Sequence, residues 1–425
     1  MTLGPGPRRA VEDGDRPRLY IPAGRRLRKA MPPDLSRCRN IVVVKLDFIG
    51  DWLLTTPFLA NLRANAPQAH ITAVVLDRVF ELAETCRFVD RVISLTRADG
   101  RRITFGAASR AMLAGFRRDY LGGAFDLALV PRYDADFNGA LAVAHGSGAR
   151  SVVGFSEMST PRKRLINRGD DRFYTTAITD PRPAAHEADR ELALVDALGG
   201  RIRPARPVLD LLPVDEAAAA RFLETSFGRA GRGFLAVAPF GSEAQKTLPA
   251  EILAPVMRKL AGRFALDCVV IASPGDAGNA EIFAAAIAAR SAAGRLGLRA
   301  TAALLQKAEA FIGMDSGPAH IAAAVGTPVA VLVGHPADGS PTHTNAPERF
   351  APLGGVGQVT VIRPAHARPP CAEGCQKGEA HCILGLTPDV LRPRLSAFLK
   401  TVLEPGAAAK SQSRRRASSA MDASP

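Results

Sequence analysis

Short apolar runs rich in β-branched residues alternate with longer helical stretches along most of this chain. The first run, Ile41–Lys45, is followed by a turn at Gly50, a helical stretch over 51–66 and a second run at Ile71–Leu76. This alternation predicts strand–helix–strand units, which assemble into parallel sheets with right-handed crossovers. It predicts further strands over 91–95, 125–130 and 151–155, and helices near 107–121 and over 138–145 and 185–199.

The alternation restarts after a proline-rich stretch at residues 200–215, which we interpret as a link between domains. Beyond it, strands are predicted over 234–238, 268–273, 310–313 and 329–333, and helices over 250–264, 279–293, 302–308 and 318–325. The two blocks predict an α/β protein with two Rossmann-like parallel-sheet domains, over 37–205 and 206–405, that face each other across a cleft. Ligands of such sheets bind beyond the carboxyl ends of the strands, so we expect the site in that cleft.

Composition supports a folded protein with basic ends. Hydrophobic residues make up 47% and charged residues 23% of the 425-residue chain, which is typical of globular proteins. The net charge is +14; residues 1–40 carry ten Lys/Arg against four Asp/Glu, and residues 406–425 carry four against one. The segments 1–36 and 406–425 are rich in Pro, Gly, Ser and Ala, and we expect them to be disordered.

The composition of the basic ends indicates which classes of partner the protein binds. Aromatic residues are not interleaved with the arginines, apart from Tyr20, so we expect no nucleic-acid partner. Such ends either contact an anionic membrane surface or only keep the chain soluble, and both interpretations stay open. No apolar run reaches the roughly 18 residues that span a bilayer, and the N-terminus lacks the apolar stretch of a secretion signal. We therefore expect a cytoplasmic protein, with peripheral binding to the inner face of the inner membrane as a further option.

An aspartate lies at the start of the first predicted helix. The segment between strand and helix reads KLDFIGD over residues 45–51. Because helix N-termini favour aspartate, Asp51 is either a cap of low pKa or a carboxylate that takes a proton from an acceptor hydroxyl. Asp47 and Gly50 are expected beside it, on the acceptor side of the cleft. A dinucleotide site is disfavoured here, because the Gly-x-Gly-x-x-Gly spacing is missing.

A second helix start, in the C-terminal half, has the features of an anion site. Residues 315–320 read DSGPAH. Asp315 or Ser316 can cap the helix, Gly317 allows close backbone approach, and Pro318 suits the first helical position. Exposed N–H groups at such a start form a seat for pyrophosphate. His320 falls in the same turn, as either a ligand contact or a structural histidine.

A lysine follows the first predicted strand of the second domain. Residues 238–246 read APFGSEAQK and connect this strand to a helix. Lys246 is either a surface lysine or a point charge that neutralises phosphate in the same cleft.

The order and context of these three segments resemble glycosyltransferase family 9, the heptosyltransferase-like enzymes of lipopolysaccharide core assembly, which have the GT-B fold. The sequence IGDWLLTTP at 49–57 resembles the family's IGD motif, and DSGPAH at 315–320 with GTP at 326–328 resembles its donor loop. The resemblance extends over roughly residues 40–395. It implies inverting transfer without a metal, from a nucleotide-diphosphate sugar to a lipid-linked saccharide. It also implies that Asp51 is the general base and that the donor diphosphate is bound by Lys246, Asp315, Ser316, Gly317 and His320.

Two segments depart from the family's usual pattern. The lysine segment usually reads close to HPG and then KxWP, whereas this chain has APFG at 238–241 and KTLP at 246–249. Leu46–Phe48 stands where core heptosyltransferases carry small, serine-like residues. The donor sugar, heptose or similar, is therefore left open. The alternative functions are a nucleotide-sugar epimerase or hydrolase on the same fold and a non-catalytic nucleotide-sugar-binding protein.

Three cysteines cluster near the end of the second domain. They are Cys371, Cys375 and Cys382, with His366 and His381 close by. These are enough ligands for a tetrahedral zinc ion, but the spacing is not that of a standard zinc ribbon. We therefore expect structural thiols and no cofactor, with a metal at this cluster as the alternative.

Overall fold

The computed structural model describes residues 18–20, 33–95, 103, 113–180, 182, 185–228, 233–355 and 357–404. They form two compact units. The N-terminal unit contains the described residues up to Leu212 together with Glu348–Leu353. The C-terminal unit contains Pro213–Pro347 and the described residues from Gly354 onward.

A seven-stranded sheet forms the centre of the N-terminal unit, with spatial order β1-β7-β6-β5-β2-β3-β4. All neighbouring strands are parallel except β1 and β7. Strands β2, β3 and β4 follow one another toward one edge of the sheet, and β5, β6 and β7 follow one another toward the other edge. This is the Rossmann order, and its switch point lies between β2 and β5. The strands are β1 Arg18–Tyr20, β2 Asn40–Lys45, β3 His70–Leu76, β4 Arg91–Leu95, β5 Leu127–Val130, β6 Ser151–Phe155 and β7 Thr176–Thr179.

Helices connect these strands. The α-helices are α1 Ile49–Asn65, α2 Asp77–Ala83, α3 Ala140–Gly146, α4 Pro161–Ile166 and α5 Glu187–Ala197, and Arg117–Leu121 form a π-helical turn. Helix α1 follows β2 after a loop of only three residues, Leu46–Phe48, and its last turn lies just before Pro67. The short loop fixes the start of α1 at the carboxyl edge of the sheet.

The C-terminal unit repeats this plan with a six-stranded sheet of order β10-β9-β8-β11-β12-β13. All of its strand pairs are parallel, and the switch point lies between β8 and β11. The strands are β8 Phe234–Ala238, β9 Asp267–Val270, β10 Arg290–Ser291, β11 Ala310–Met314, β12 Val329–Leu332 and β13 Val359–Ile362. The helices of this unit are α6 Pro213–Phe227, α7 Ala250–Phe264, α8 Ala277–Ala286, α9 Leu298–Gln306, α10 Gly317–Ala324 and α12 Pro388–Leu403. The short helix α11 Pro347–Phe350 begins at the last residue before the chain returns to the N-terminal unit, to which its other residues belong.

Small and β-branched side chains fill both cores. In β2, the side chains of Ile41–Val44 are fully buried, and so are those of Val329–Leu332 in β12. Both faces of a parallel sheet are covered by helices, so side chains on either face are buried. Burying one such aliphatic side chain contributes about 1.5–3 kcal/mol to the stability of the fold. The predicted α/β class with two Rossmann-like sheets is confirmed.

Several element boundaries differ from those that the sequence pattern predicts. Pro213, which we assigned to the linker, begins α6, because proline is well tolerated in the first turn of a helix. The helix expected over 279–293 ends at Ala286, and the edge strand β10 follows at Arg290. Strands β7 and β13 and helix α12 were not predicted. Each of the two strands has only four residues, too few for a clear apolar pattern.

Part of the N-terminal segment that we expected to be disordered forms strand β1. Arg18–Tyr20 pair with β7, with Leu19 opposite Ile178. The segment 406–425 and residues 107–112 of the helix predicted near 107–121 lie outside the described residues, whereas residues 113–121 are helical as predicted. Among the helices that the structure describes, none is both long and apolar enough to cross a membrane.

Candidate functional site

Charged side chains lie at the switch point of the N-terminal sheet. Strands β2 and β5 are adjacent and in register, with Val43 opposite Leu129. Asp47 lies two residues beyond the end of β2, and Arg132 lies two residues beyond the end of β5. Because parallel strands end at the same edge, the two side chains meet: Arg132 Nη1 lies 3.1 Å from Asp47 Oδ1.

Asp51 lies at the same place, in the first turn of α1. Its Oδ1 is 3.6 Å from Arg132 Nη1, and its Oδ2 accepts a hydrogen bond of 3.4 Å from the Phe48 backbone N–H. The carboxylate is therefore both a helix cap and a member of the charged group. About 20% of the side chain is exposed, so an incoming hydroxyl can reach it.

The pKa values of the two carboxyls are driven apart. Burial and the neighbouring Asp47 charge raise the pKa of Asp51 above the ordinary value of 3.8, against the opposing effect of Arg132. Burial also acts to raise the pKa of Asp47, but Arg132 and Lys45 outweigh it, and the pKa of Asp47 is lowered. Asp47 thus stays ionised while Asp51 is the stronger base. The low pKa that we expected for Asp51 is wrong, because the expectation considered only the helix N-terminus.

A buried lysine forms an ion pair with Asp47. Lys45 Nζ lies 3.3 Å from Asp47 Oδ2 and donates hydrogen bonds of 2.6 Å to Glu191 Oε1 and 2.8 Å to the Pro131 carbonyl. Thr55 Oγ1 also donates to Glu191, at 3.2 Å. Burial raises the pKa of Glu191 to about 7. These contacts link the end of β2 to helices α1 and α5.

A second buried group lies next to Arg132 along the chain. Arg349 Nη2 lies 3.0 Å from Asp134 Oδ2 and 2.6 Å from Glu187 Oε1. The guanidinium of Arg190 stacks on the Tyr133 ring, with 3.6 Å between Cζ and the ring centroid. Arg349 and Arg190 are almost fully buried. Removing one partner of such a pair leaves an uncompensated buried charge, so these residues hold the Arg132 segment rigidly.

The switch point of the C-terminal sheet carries a small pocket. Loops that follow the three central strands, β8, β11 and β12, line it with Lys246, Asp315 and His335. Lys246 ends a short 3-10 turn, and Gly241 allows the preceding loop to fold back on it, since a Cβ at Gly241 would lie 2.9 Å from the Lys246 carbonyl oxygen. Lys246 and Asp315, predicted separately from sequence, thus lie in one pocket.

Helix α10 begins directly after Asp315. Ser316 occupies the N-cap position, but its hydroxyl donates to the Met314 carbonyl at 3.3 Å instead of capping the helix. The helix starts at Gly317, with Pro318 in its first turn, one residue earlier than predicted. His320 is nearly buried in that turn. Residues 315–318 are partly exposed, so the positive end of the helix dipole faces accessible space.

The cysteine cluster forms in the C-terminal unit. Ligand atoms of Cys371, Cys375, His381 and Cys382 all lie within 4.8 Å of one another. His366, which the spacing also offered, lies elsewhere, with its Nδ1 3.0 Å from Asp338 Oδ2.

A larger cavity lies away from both groups of predicted residues. It has a volume of about 930 Å³ and is lined by Arg117, His145 and Phe173, among others. It contains none of the residues that the motifs indicate, so its size carries no functional argument.

The sequence did not indicate Lys45, Arg132 or Glu191 as members of the site. A signal for Arg132 existed, because it follows a buried strand run at 127–130 just as Asp47 follows β2. That signal can be interpreted only if β5 is known to pair with β2, and this pairing joins segments that are far apart in the sequence. Glu191 lies within an ordinary helical stretch, so its contact with Lys45 has no local signal.

Comparisons with known proteins concern the fold and the family resemblance. Residues 142–348 match the family model of glycosyltransferase family 9 (heptosyltransferase). The fold is similar to that of a glycosyltransferase family 9 protein from Veillonella parvula, with 21% identity, 87% of this chain and 99% of that chain covered, and a TM-score of 0.66. It is also similar to E. coli ADP-heptose lipopolysaccharide heptosyltransferase II, with 19% identity, 85% and 98% covered, and a TM-score of 0.61.

A third similar structure is E. coli heptosyltransferase WaaC with ADP-2-deoxy-2-fluoro heptose, with 16% identity, 84% of this chain and 99% of that chain covered, and a TM-score of 0.59. No curated protein matches the sequence. The family match over residues 142–348 agrees with the resemblance to glycosyltransferase family 9, and the solved structures show that the chain shares their fold.

Proposed function

We propose that this family 9-like glycosyltransferase transfers a heptose, or a closely similar sugar, from an ADP-linked donor to a lipopolysaccharide-type saccharide, with inversion at the anomeric carbon. The observation that carries the proposal is the Asp51 carboxyl, which lies beside an ionised Asp47 and has a raised pKa. A carboxylate of this kind suits a general base whose proton comes from an acceptor hydroxyl.

The reaction is a single displacement. The acceptor oxygen forms its bond to the anomeric carbon on the face opposite the leaving group, and its proton passes to Asp51. The bond between the anomeric carbon and the diphosphate oxygen breaks, and ADP leaves with the electron pair. No metal takes part in this step.

Lys246 and the start of α10 are the proposed site of the diphosphate. The pocket that contains Lys246 and Asp315 lies beyond the carboxyl ends of β8, β11 and β12, where open α/β sheets bind ligands. Charge develops on the diphosphate as the bond breaks, and a lysine and a helix N-terminus stabilise it more in the transition state than in the ground state. Ser316, Gly317 and His320 belong to the same helix start.

The proposed acceptor site consists of other residues, which lie in the N-terminal unit. Asp47 and Gly50 flank Asp51 at the edge of the N-terminal sheet, and we propose that the acceptor saccharide contacts this edge. Because such an acceptor is lipid-linked, we also propose that the enzyme works on the inner face of the inner membrane, in the cytoplasm, assisted by its basic ends.

A transfer assay tests the proposal. The protein is incubated with ADP-heptose and a delipidated, heptose-deficient lipopolysaccharide oligosaccharide, without added divalent cations. Mass spectrometry should show one added heptose, and the proton coupling at the new anomeric centre should show inversion. A donor that is only isomerised or hydrolysed, with or without the acceptor, would favour the epimerase or hydrolase alternative.

A further inference from the structure

The cysteine cluster lies in a long loop without secondary structure of its own. Residues 363–381 connect β13 to the 3-10 turn Cys382–Gly385 and contain neither helix nor strand. Loops of this length without secondary structure of their own are uncommon inside compact domains. The loop nevertheless brings three thiols and an imidazole to one point.

The separations between these ligand atoms match a tetrahedral metal centre. His381 Nδ1 lies 3.6 Å from Cys371 Sγ and 3.5 Å from Cys382 Sγ. A zinc ion with bonds of about 2.3 Å to sulfur and about 2.0 Å to nitrogen places these atoms roughly 3.5 Å apart at tetrahedral angles. All the ligand atoms lie within 4.8 Å, and none of the cysteines forms a disulfide.

The surroundings of the thiols suit metal-bound thiolates. Cys371 and Cys382 are buried, and the Gln376 backbone N–H points at Cys371 Sγ from 3.4 Å. Hydrogen bonds of this kind from backbone N–H groups are part of the outer shell of metal–thiolate sites. Three cysteines and one histidine are one of the usual donor sets of structural zinc sites, and four protein ligands leave no open position for catalysis.

We propose that Cys371, Cys375, His381 and Cys382 bind one zinc ion, which has a structural role. This reverses the expectation from spacing, which compared the sequence only with the standard ribbon. The ion would cross-link a long loop that has neither helix nor strand, and its binding free energy would contribute directly to the folding of this region.

The loop is packed against the wall of the Lys246 pocket. Cys375 itself lines that pocket. The Glu373 carbonyl accepts a hydrogen bond of 2.7 Å from the Ser340 N–H, and a Cβ at Gly374 would lie 3.0 Å from both His335 and His343. Zinc would therefore hold this wall in place. If the proposed donor site is correct, loss of zinc should also weaken ADP binding.

Metal analysis of the full-length protein tests the proposal. Elemental analysis of protein purified without chelators should give about one zinc per chain, and a metal-free or iron-containing protein would overturn the assignment. Protein produced with cobalt in place of zinc should show thiolate-to-cobalt charge-transfer bands and the visible bands of tetrahedral cobalt. A cobalt spectrum without thiolate bands would also contradict it.

Variants separate the metal ligands from ordinary cysteines. Cys375→Ser should lose most of the zinc, His381→Cys should keep it with stronger charge-transfer bands, and Cys268→Ala, which removes a buried thiol in β9, should keep the parent content. Equal zinc content in Cys375→Ser and Cys268→Ala would place the metal elsewhere. If a chelator removes the zinc and ADP affinity stays at the parent value, the metal site stands and only its link to the donor pocket fails.

Discussion

Asp47 and Asp51 share one guanidinium, because the same nitrogen of Arg132 lies 3.1 Å from Asp47 Oδ1 and 3.6 Å from Asp51 Oδ1. The shorter contact, together with Lys45, keeps Asp47 ionised. The Asp47 charge in turn raises the proton affinity of Asp51. Two carboxyls of the same type thus acquire different tasks from their positions around one cation.

Replacing the proposed base should stop transfer and spare donor binding. Asp51→Asn keeps an oxygen that can accept the Phe48 N–H but removes the proton acceptor, so we expect turnover to fall on the order of 10²-fold or more. ADP affinity, measured by isothermal titration, should stay within a few-fold of the parent. The control is Asp77→Asn, which changes the first residue of α2. Near-parent turnover in Asp51→Asn would reduce Asp51 to a helix cap.

The acid limb of the pH profile should depend on Asp47. The rate constant kcat/KM should fall as pH drops through the raised pKa of Asp51, because the protonated carboxyl cannot act as a base. In Asp47→Asn the neighbouring negative charge is gone, so the Asp51 pKa should decrease and the limb should move to lower pH. Profiles of kcat/KM for the two proteins decide this. A limb that stays in place or moves to higher pH in the variant would show that another group titrates.

Lys246 should contribute to donor affinity. We expect Lys246→Ala to weaken ADP binding roughly 10- to 100-fold, since hydrogen bonds with charged groups contribute about 1.5–3 kcal/mol. Titration calorimetry with ADP measures this, and Lys307→Ala, which removes an exposed lysine just after α9, is the matched control. If both variants bind ADP like the parent, the diphosphate site lies elsewhere.

Arg349 should be essential for stability of the N-terminal unit. Arg349→Met removes the cation between Asp134 and Glu187 and should destabilise the unit by about 3–5 kcal/mol, because both carboxylates remain buried. For a unit of this size that corresponds to a decrease in Tm on the order of 10 °C. Thermal unfolding followed by circular dichroism would measure it. Arg392→Met, at an exposed ion pair in α12, should shift Tm little; equal shifts would refute the special role of Arg349.

The basic ends should promote membrane binding. The test variant changes Arg25, Arg26, Arg28 and Lys29 to Gln and deletes 406–425, which leaves strand β1 intact. The control deletes only residues 1–17, where three arginines balance three acidic residues. Sedimentation with anionic vesicles should show weaker binding by the test variant only.

Parent binding to the vesicles should also decrease with salt, since the Debye length falls from about 10 Å at 0.1 M to about 3 Å at 1 M. Equal, salt-insensitive binding by all three proteins would assign membrane contact to an apolar surface.

The sequence predicted most of the central strands because their apolar runs are long and β-branched. Ile41–Lys45 and Val329–Val333 are examples, and the loops that follow them could be placed at the carboxyl edges of sheets. Strand β13 and the edge strand β10 could not be predicted, since segments of four and two residues carry almost no pattern.

The candidate site could be predicted only where its residues belong to a local motif. Asp51 and residues 315–320 follow a strand and begin a helix, which is visible in the sequence. Arg132 and Arg349 act through partners far along the chain, and the pKa of Asp51 is raised by burial and by the Asp47 charge, which only the folded structure shows. The geometry of the cysteine cluster likewise depends on how residues 371–382 fold back, which spacing does not specify.

The return of residues 348–353 to the N-terminal unit has a consequence for synthesis. During translation the first 212 residues leave the ribosome long before Arg349, yet Asp134 and Glu187 are buried against that arginine. Domains usually fold as they emerge, from the N-terminus onward. Here the nascent N-terminal unit must wait, without the cation that bridges Asp134 and Glu187, until most of the second sheet has been made. A truncated chain that stops at Leu212 should therefore remain a substrate for chaperones, however complete its own sheet.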